Sequence, residues 1–271
     1  MDRVAYLDHA ATTPLWPEAR EAMLPFLTDR FGNPSGSHRV SRDARQALDE
    51  ARESVAACLG CSPAEVVFTG GGTEADNLAL AGVWAARPGT VVCSAVEHHA
   101  VLHGCGALGG RVAPVGRSGV VDLDALAALL DDGVSVVSVM LANNEVGTVQ
   151  PVAAVAAVVR DVAPAAVVHT DAVQAFPWLD VAALAAGADL VAVSAHKFGG
   201  PKGVGALVVR DGVEVRPLLY GGGQERDRRS GTHNVAGIVG MAAAMRATVA
   251  CREATVARVR ALRDRLGDGL L

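Results

Sequence analysis

Lysine is almost missing from this sequence. Lys197 and Lys202 are the only two, and every other member of the 24 basic residues is arginine. The basic residues are also scattered, and the formal net charge is -5. That leaves no electrostatic footprint for nucleic acid or an anionic membrane. The five cysteines are an odd number, which argues against a disulfide framework. The N-terminal "MDRVAYLDHAATT" has no apolar core of the signal-peptide kind. No uninterrupted apolar run of about 18 residues suggests a membrane span. The run at 152–168 comes closest, but Arg160, Asp161 and Pro164 interrupt it. These absences give the expectation of a cytoplasmic protein.

What the chain does have is apolar bulk. Hydrophobic residues make up 51% of 271, enough for a sizeable core in one large α/β domain or two small ones. Short β-rich runs alternate with helical patterns. Residues 36–59 read as a helix with an Ala/Leu/Val face. "EVVFTGGGTEADNLALAGVWAA" reads as strand, glycine turn and helix, and "TVVCSAVEHHAVLHGC" repeats the pattern. A buried strand in "GVSVVSVMLANNEVGTVQP" is followed by a helix at 152–162. Strands in "AAVVHTDAVQAF", "ADLVAVSAHKFGG" and "VGALVVR" come next. This alternation predicts a mainly parallel sheet covered on both faces, a three-layer α/β/α domain.

The polar residues are unevenly placed. Thr73, His98, Asn144, Asp171, Gln174, Ser194, His196 and Lys197 each follow the C-terminal end of an apolar run. Ligands of open α/β sheets bind outside those strand ends, so the pattern predicts one convergent site.

Each loop has a chemical reading and a plainer one. The glycines before Thr73 let backbone approach a ligand, and a new helix there offers N–H groups to a phosphate. Alternatively Thr73 is a helix N-cap with Glu74 complementing the dipole. The loop is neither GxGxxG nor a Walker A loop. Asp171 can hold a protonated ring nitrogen while Gln174 donates to a ring oxygen; a lone surface Asp is the alternative. His98 can stack on a planar cofactor and relay protons. His99 and His103 have the i, i+4 spacing of a zinc helix, or form a partly exposed helix face; no metal site is assigned. Cys58 and Cys61 form a CxxC, which reads as an apolar helix end stopped by Gly60.

The lysine decides among these. A guanidinium stays protonated, whereas a desolvated lysine becomes an amine nucleophile and base. A lysine kept between the buried runs "LVAVSA" and "VGALVV" points to need for a primary amine; Lys202 has the plainer reading of a solvated charge. Phosphate cradle, ring-nitrogen carboxylate and reactive lysine together fit pyridoxal 5′-phosphate.

The blocks "YLDHAATTPL", "FGNPSGSH", "FTGGGTEADNLAL", "EHHAVL", "NNEVGTVQP", "HTDAVQAF", "SAHKFGGPKGVGALVV" and "GGGQERDRRSGTHNVAGIVGM" resemble cysteine desulfurases of the NifS/IscS type. These belong to the class V aminotransferase group of fold-type I pyridoxal-phosphate enzymes. The blocks come in family order and span nearly the whole chain. The resemblance implies that Lys197 holds the cofactor covalently and that His98 stacks on its ring and shuttles protons. It implies that Asp171 pairs with the ring nitrogen and Gln174 with the ring oxygen. Gly72, Thr73, Ser194 and His196 would hold the phosphate, and Asn144 would lie near the substrate carboxylate. Thr232 would reach the phosphate of a neighbouring subunit, implying a homodimer. L-cysteine is the implied substrate, with an iron–sulfur scaffold or tRNA-thiolation factor as sulfur acceptor.

Against the family pattern, the sequence is expected to be truncated. It divides into an arm at 1–15, a cofactor-binding large domain at 16–245, and at 246–271 the start of a helix toward a C-terminal small domain that is largely absent. None of Cys58, Cys61, Cys93, Cys105 or Cys251 sits in a sequence like the family's catalytic-cysteine loop. Cys105, expected in a glycine-rich stretch after the His98 helix, is the nearest substitute. Three functions follow: a desulfurase whose thiol is absent here or comes from another chain; an aminotransferase or C–S lyase without a protein persulfide; and an inactive cofactor-binding remnant.

Overall fold

The computed structural model describes residues 5–270. The first four residues of the expected N-terminal arm, and Leu271, lie outside the described residues. The strands are β1 (Val66–Thr69), β2 (Thr90–Ser94), β3 (Arg111–Ala113), β4 (Val134–Ser138), β5 (Val167–Asp171), β6 (Leu190–Ser194) and β7 (Gly205–Val209). The helices are α1 (Pro17–Leu27), α2 (Arg39–Leu59), α3 (Gly72–Ala86), α4 (His99–Ala107), α5 (Leu123–Ala128), α6 (Val152–Val162), α7 (Val181–Leu184) and α8 (Val235–Leu270).

One seven-stranded sheet has the order β1-β7-β6-β5-β4-β2-β3. Pairing is parallel from β6 through β3, and β7 is antiparallel to both β6 and β1. Only β7 is reversed, so the other six strands deliver their C-terminal ends to one edge. Strand alternation divides the core. Val191, Val193, Ala206 and Val208 pack with α2, α6 and α8 residues such as Val55, Val155 and Met241. Leu190, Ala192, Leu207 and Val209 pack on the other face with Ala75, Leu78, Val101 and Cys105 of α3 and α4. The three-layer α/β/α expectation holds.

Several local readings change. The helix at 152–162 is matched, whereas α2 begins at Arg39 rather than residue 36. Gly60 ends α2 in the left-handed conformation, as the CxxC reading requires. Cys105 lies inside α4, buried, because that helix continues through its glycines to Ala107. The long segment apolar enough to cross a membrane is in α8, not at 152–168, and most of that stretch is buried in the fold. Helix α8 passes position 245 without a break.

The exposed edge of β1 is closed by a side chain. Glu225, Arg226 and Asp227 all have positive φ (50°, 57° and 62°), a conformation that costs non-glycine residues roughly 1–3 kcal/mol each. Glu225 pins this turn. Its Oε1 accepts from Arg52 Nη2 at 2.6 Å and lies 2.7 Å from His233 Nε2. Its Oε2 accepts from Arg52 Nη1 and from the Phe68 N–H of β1, both at 2.8 Å.

Candidate active site

At the C-terminal edge of the sheet a cavity of about 480 Å³ opens. Gly72, Thr73, His98, Asn144, Asp171, Gln174, Ser194, His196 and Lys197 all line it. They come from chain positions 72 to 197, and the common strand direction brings them together. Thr232, the remaining candidate, is exposed in the loop before α8 and is not part of this lining.

One end of the cavity is built for an anion. Gly71 occupies the N-cap of α3 and makes no side-chain capping bond. Thr73 is therefore inside the helix, which corrects its N-cap reading; Gly70 and the cap Gly71 carry the chain to the helix without a side chain, and Gly72 opens it. The first N–H groups of α3 point outward with the positive helix end. A side chain at Gly72 would collide: its Cβ would meet Val173 Cγ2 at 2.8 Å and Ser194 Cβ at 3.3 Å. Glu74 does not compete for this space. Its Oε2 accepts from Gly70 N at 2.8 Å and its Oε1 from Arg229 Nε at 2.8 Å. Ser194, the last residue of β6, and His196 in the following turn form the facing wall.

The cavity also carries a buried carboxylate. Asp171 closes β5, and its Oδ1 accepts from Val173 N at 2.8 Å. Burial pushes its pKa above the usual carboxylate range, against that hydrogen bond and the charges of His98 and Lys197. A protonated ring nitrogen is the kind of partner such a group needs.

Lys197 lies in the same lining, on the short 3₁₀ turn Ala195–Lys197. Its Nζ donates to Ala10 O at 2.5 Å and Ala11 O at 3.0 Å. Burial lowers its pKa from the ordinary lysine value, opposed by Asp171 and Asp8. Gln174 Nε2 donates to the same Ala10 oxygen at 2.7 Å. His98 caps α4, where its Nδ1 accepts from Ala100 N at 3.1 Å. His99 and His103 instead stack on one another on the exposed face of α4, with ring centroids 5.1 Å apart. Asn144 bonds Glu145 Oε1 at 2.9 Å at the cavity wall; its neighbour Asn143 builds the turn by accepting from Glu145 N and Val146 N.

The N-terminal segment is the part that residue-by-residue reading missed. Asp8, Ala10 and Ala11 line the cavity. Thr13 fixes them: its Oγ1 donates to His196 O at 2.9 Å and accepts from Gly199 N at 2.8 Å. Thr12 Oγ1 lies 3.2 Å from His196 Nδ1. The contacts to Lys197 and Gln174 come from the backbone oxygens of Ala10 and Ala11, so no side-chain type announced them. The only signal was the polar "DHAATT" placed against an otherwise apolar pattern.

The residues present fit pyridoxal 5′-phosphate. The glycine cradle and helix start suit the phosphate, the Asp171 carboxylate suits the ring nitrogen, and the half-buried Lys197 amine lines the same cavity. None of the five cysteines lines the cavity. Cys93 and Cys105 are buried in the core; Cys58, Cys61 and Cys251 are half-buried elsewhere.

Comparison with known proteins agrees with this geometry. The family described as aminotransferase class-V matches residues 5–270. The chain is 44% identical to a cysteine desulfurase IscS of Dictyoglomus turgidum, over 97% of this chain and 68% of that protein. It is 47% identical to an IscS-like cysteine desulfurase of Mycobacterium tuberculosis, over 99% and 71% respectively. A solved structure titled NifS-like protein superposes with a TM-score of 0.95 at 40% identity, covering 99% of this chain and 76% of that one. Another, titled SspA in complex with cysteine, gives 0.84 at 37% identity over 90% and 72%. Sequence, fold and cavity thus converge: this chain belongs to the class-V aminotransferase family, with the pyridoxal-phosphate-dependent cysteine desulfurases of the IscS/NifS type.

Proposed function

We propose that the chain acts on L-cysteine as a pyridoxal-phosphate-dependent desulfurase, releasing L-alanine and passing sulfur to a thiol. The observation that carries this is the single cavity that holds the α3 start, Asp171 and Lys197 together. Bound pyridoxal 5′-phosphate supplies an aldehyde for the substrate amine and a ring that takes up charge left at Cα. Thr73, Ser194, His196 and the N–H groups of α3 orient the phosphate. Asp171 holds the ring nitrogen protonated. Lys197, with its lowered pKa, takes the Cα proton as an amine. His98 donates or accepts protons at the cavity mouth, and Asn144 receives the substrate carboxylate.

In balance, cysteine and a thiol give alanine and a persulfide. The carbon–sulfur bond breaks, a sulfur–sulfur bond forms, and the thiol's proton ends on carbon. None of the five cysteines in this sequence lines the cavity, so the accepting thiol is none of these, and the sulfur finally passes to an acceptor protein. An iron–sulfur scaffold or a tRNA-thiolation factor has suitable chemistry. We infer a cytoplasmic homodimer in which the exposed Thr232 serves the neighbouring site. Incubating the cofactor-loaded chain with L-cysteine and added thiol tests the reading. Alanine with sulfide or persulfide supports it; pyruvate, a keto acid or no product overturns it.

A further inference from the structure

Three carboxylic acids stand together at the cavity, Asp76 and Asp171 in its lining and Glu97 outside it, and no arginine or lysine forms an ion pair with any of them among the described residues. Asp76 comes from α3, Glu97 from the turn before α4, and Asp171 from the end of β5. They are only 1%, 5% and 4% exposed. Glu97 Oε1 accepts from Ser94 Oγ at 2.5 Å and Met140 N at 2.7 Å, while its Oε2 is buried without a partner. Asp76 Oδ1 is likewise unpartnered, and so is the Nε2 of fully buried His169. Those two atoms lie 3.5 Å apart. On its other side, His169 Nδ1 lies 2.8 Å from Ser138 Oγ.

Three buried anions at one place are untenable. Removing a carboxylate from water is costly unless it is paired, and like charges raise the cost further. Asp171 has His98 and Lys197 near it, and on the reading above it has a cationic ring nitrogen as its partner. Asp76 faces Asp171, Glu97 and His169. A carboxylate facing two acids and an imidazole finds no cation unless His169 is protonated. Burial opposes that strongly, lowering the His169 pKa to about 3. Burial first, then the charges of Asp171 and Glu97, hold the Asp76 carboxyl well above the usual range.

We propose that Asp76 is a positioning residue kept as the neutral acid, its proton lying between Oδ1 and His169 Nε2, so that Asp171 alone presents negative charge to the cofactor. His169 Nδ1–H then donates to Ser138 Oγ, which completes a Ser138–His169–Asp76 chain that ends in the cavity lining. Both orphaned atoms are satisfied by one proton. The part concerning the cofactor rests on the proposed function; the protonation of Asp76 does not.

Infrared difference spectra of the full chain at neutral pH, with and without pyridoxal 5′-phosphate, test this. The Asp76→Asn spectrum should lack the carbonyl stretch of a protonated carboxylic acid that the parent shows. Loss of an ionised carboxylate band instead would overturn the proposal. Glu97→Gln identifies the separate band of that residue, so the two are not confused. Asp76→Asn should change the dissociation constant for pyridoxal 5′-phosphate by less than about threefold. Asp171→Asn should weaken it at least tenfold, about 1.4 kcal/mol. A tenfold loss in Asp76→Asn would show a charge there and contradict the inference. No effect in Asp171→Asn would remove the assigned cofactor partner while the infrared result on Asp76 still stood.

Discussion

Lys197 Nζ and the backbone oxygen of Ala10 are 2.5 Å apart, although 187 positions separate them in sequence. The amine expected to meet the cofactor therefore rests against the N-terminal segment, and Gln174 rests on the same oxygen. The hydroxyl of Thr13 holds that segment in place.

Thr13→Val keeps the shape of the side chain and deletes both of its bonds. Gly199 N loses its acceptor and is left unsatisfied in a half-buried site. The variant should lose about 1–3 kcal/mol of stability, read from denaturant midpoints. It should also release pyridoxal 5′-phosphate more readily, since Ala10 is no longer fixed. A variant as stable as its parent would show that the clamp is not needed.

Glu225→Gln should be more severe. The carboxylate meets Arg52, His233 and the Phe68 N–H, and its pKa is lowered to about 2 by these partners despite burial. Removing one member of a buried ion pair leaves the other uncompensated, at roughly 3–5 kcal/mol. The left-handed turn Glu225–Asp227 would lose its anchor at the same time. Because the folded pKa is depressed, this stabilisation is full above the unfolded value of about 4.3 and fades as pH falls toward 2. Acid unfolding followed by circular dichroism should show the parent resisting pH 4 better than the variant.

Glu97 should produce the opposite slope. Burial raises its pKa to about 8, against hydrogen bonds from Ser94 and Met140. A carboxyl with a raised folded pKa contributes stability that is complete below about 4.3 and is lost as pH climbs through about 8. Glu97→Gln should flatten that fall in stability between these limits. Denaturant melts of both proteins across this range decide it: parallel curves would show that Glu97 is ionised throughout.

The sequence showed the layers because apolar runs carry their own period. The strand ends were legible too, since a polar residue such as Asp171 directly after "AAVVHT" has few places to go. Lys197 was marked by contrast with 22 arginines' worth of alternatives in a 24-residue basic set. What stayed hidden acts through space rather than along the chain. The Ala10 carbonyl has no side-chain signature. Cys105 seemed to lie in a loop because glycines usually end helices, yet packing against β2 and α3 carries α4 past them. Asp76 and His169 carry no signal in the sequence, and only folding sets them 3.5 Å apart.

The central claim is that Lys197 is the covalent seat of the cofactor. Protein loaded with pyridoxal 5′-phosphate, reduced with borohydride and digested, should carry the pyridoxyl mass on the peptide containing Lys197, and Lys197→Ala should carry none. An adduct on Lys202, on the N-terminal amine or on no peptide at all would contradict the account.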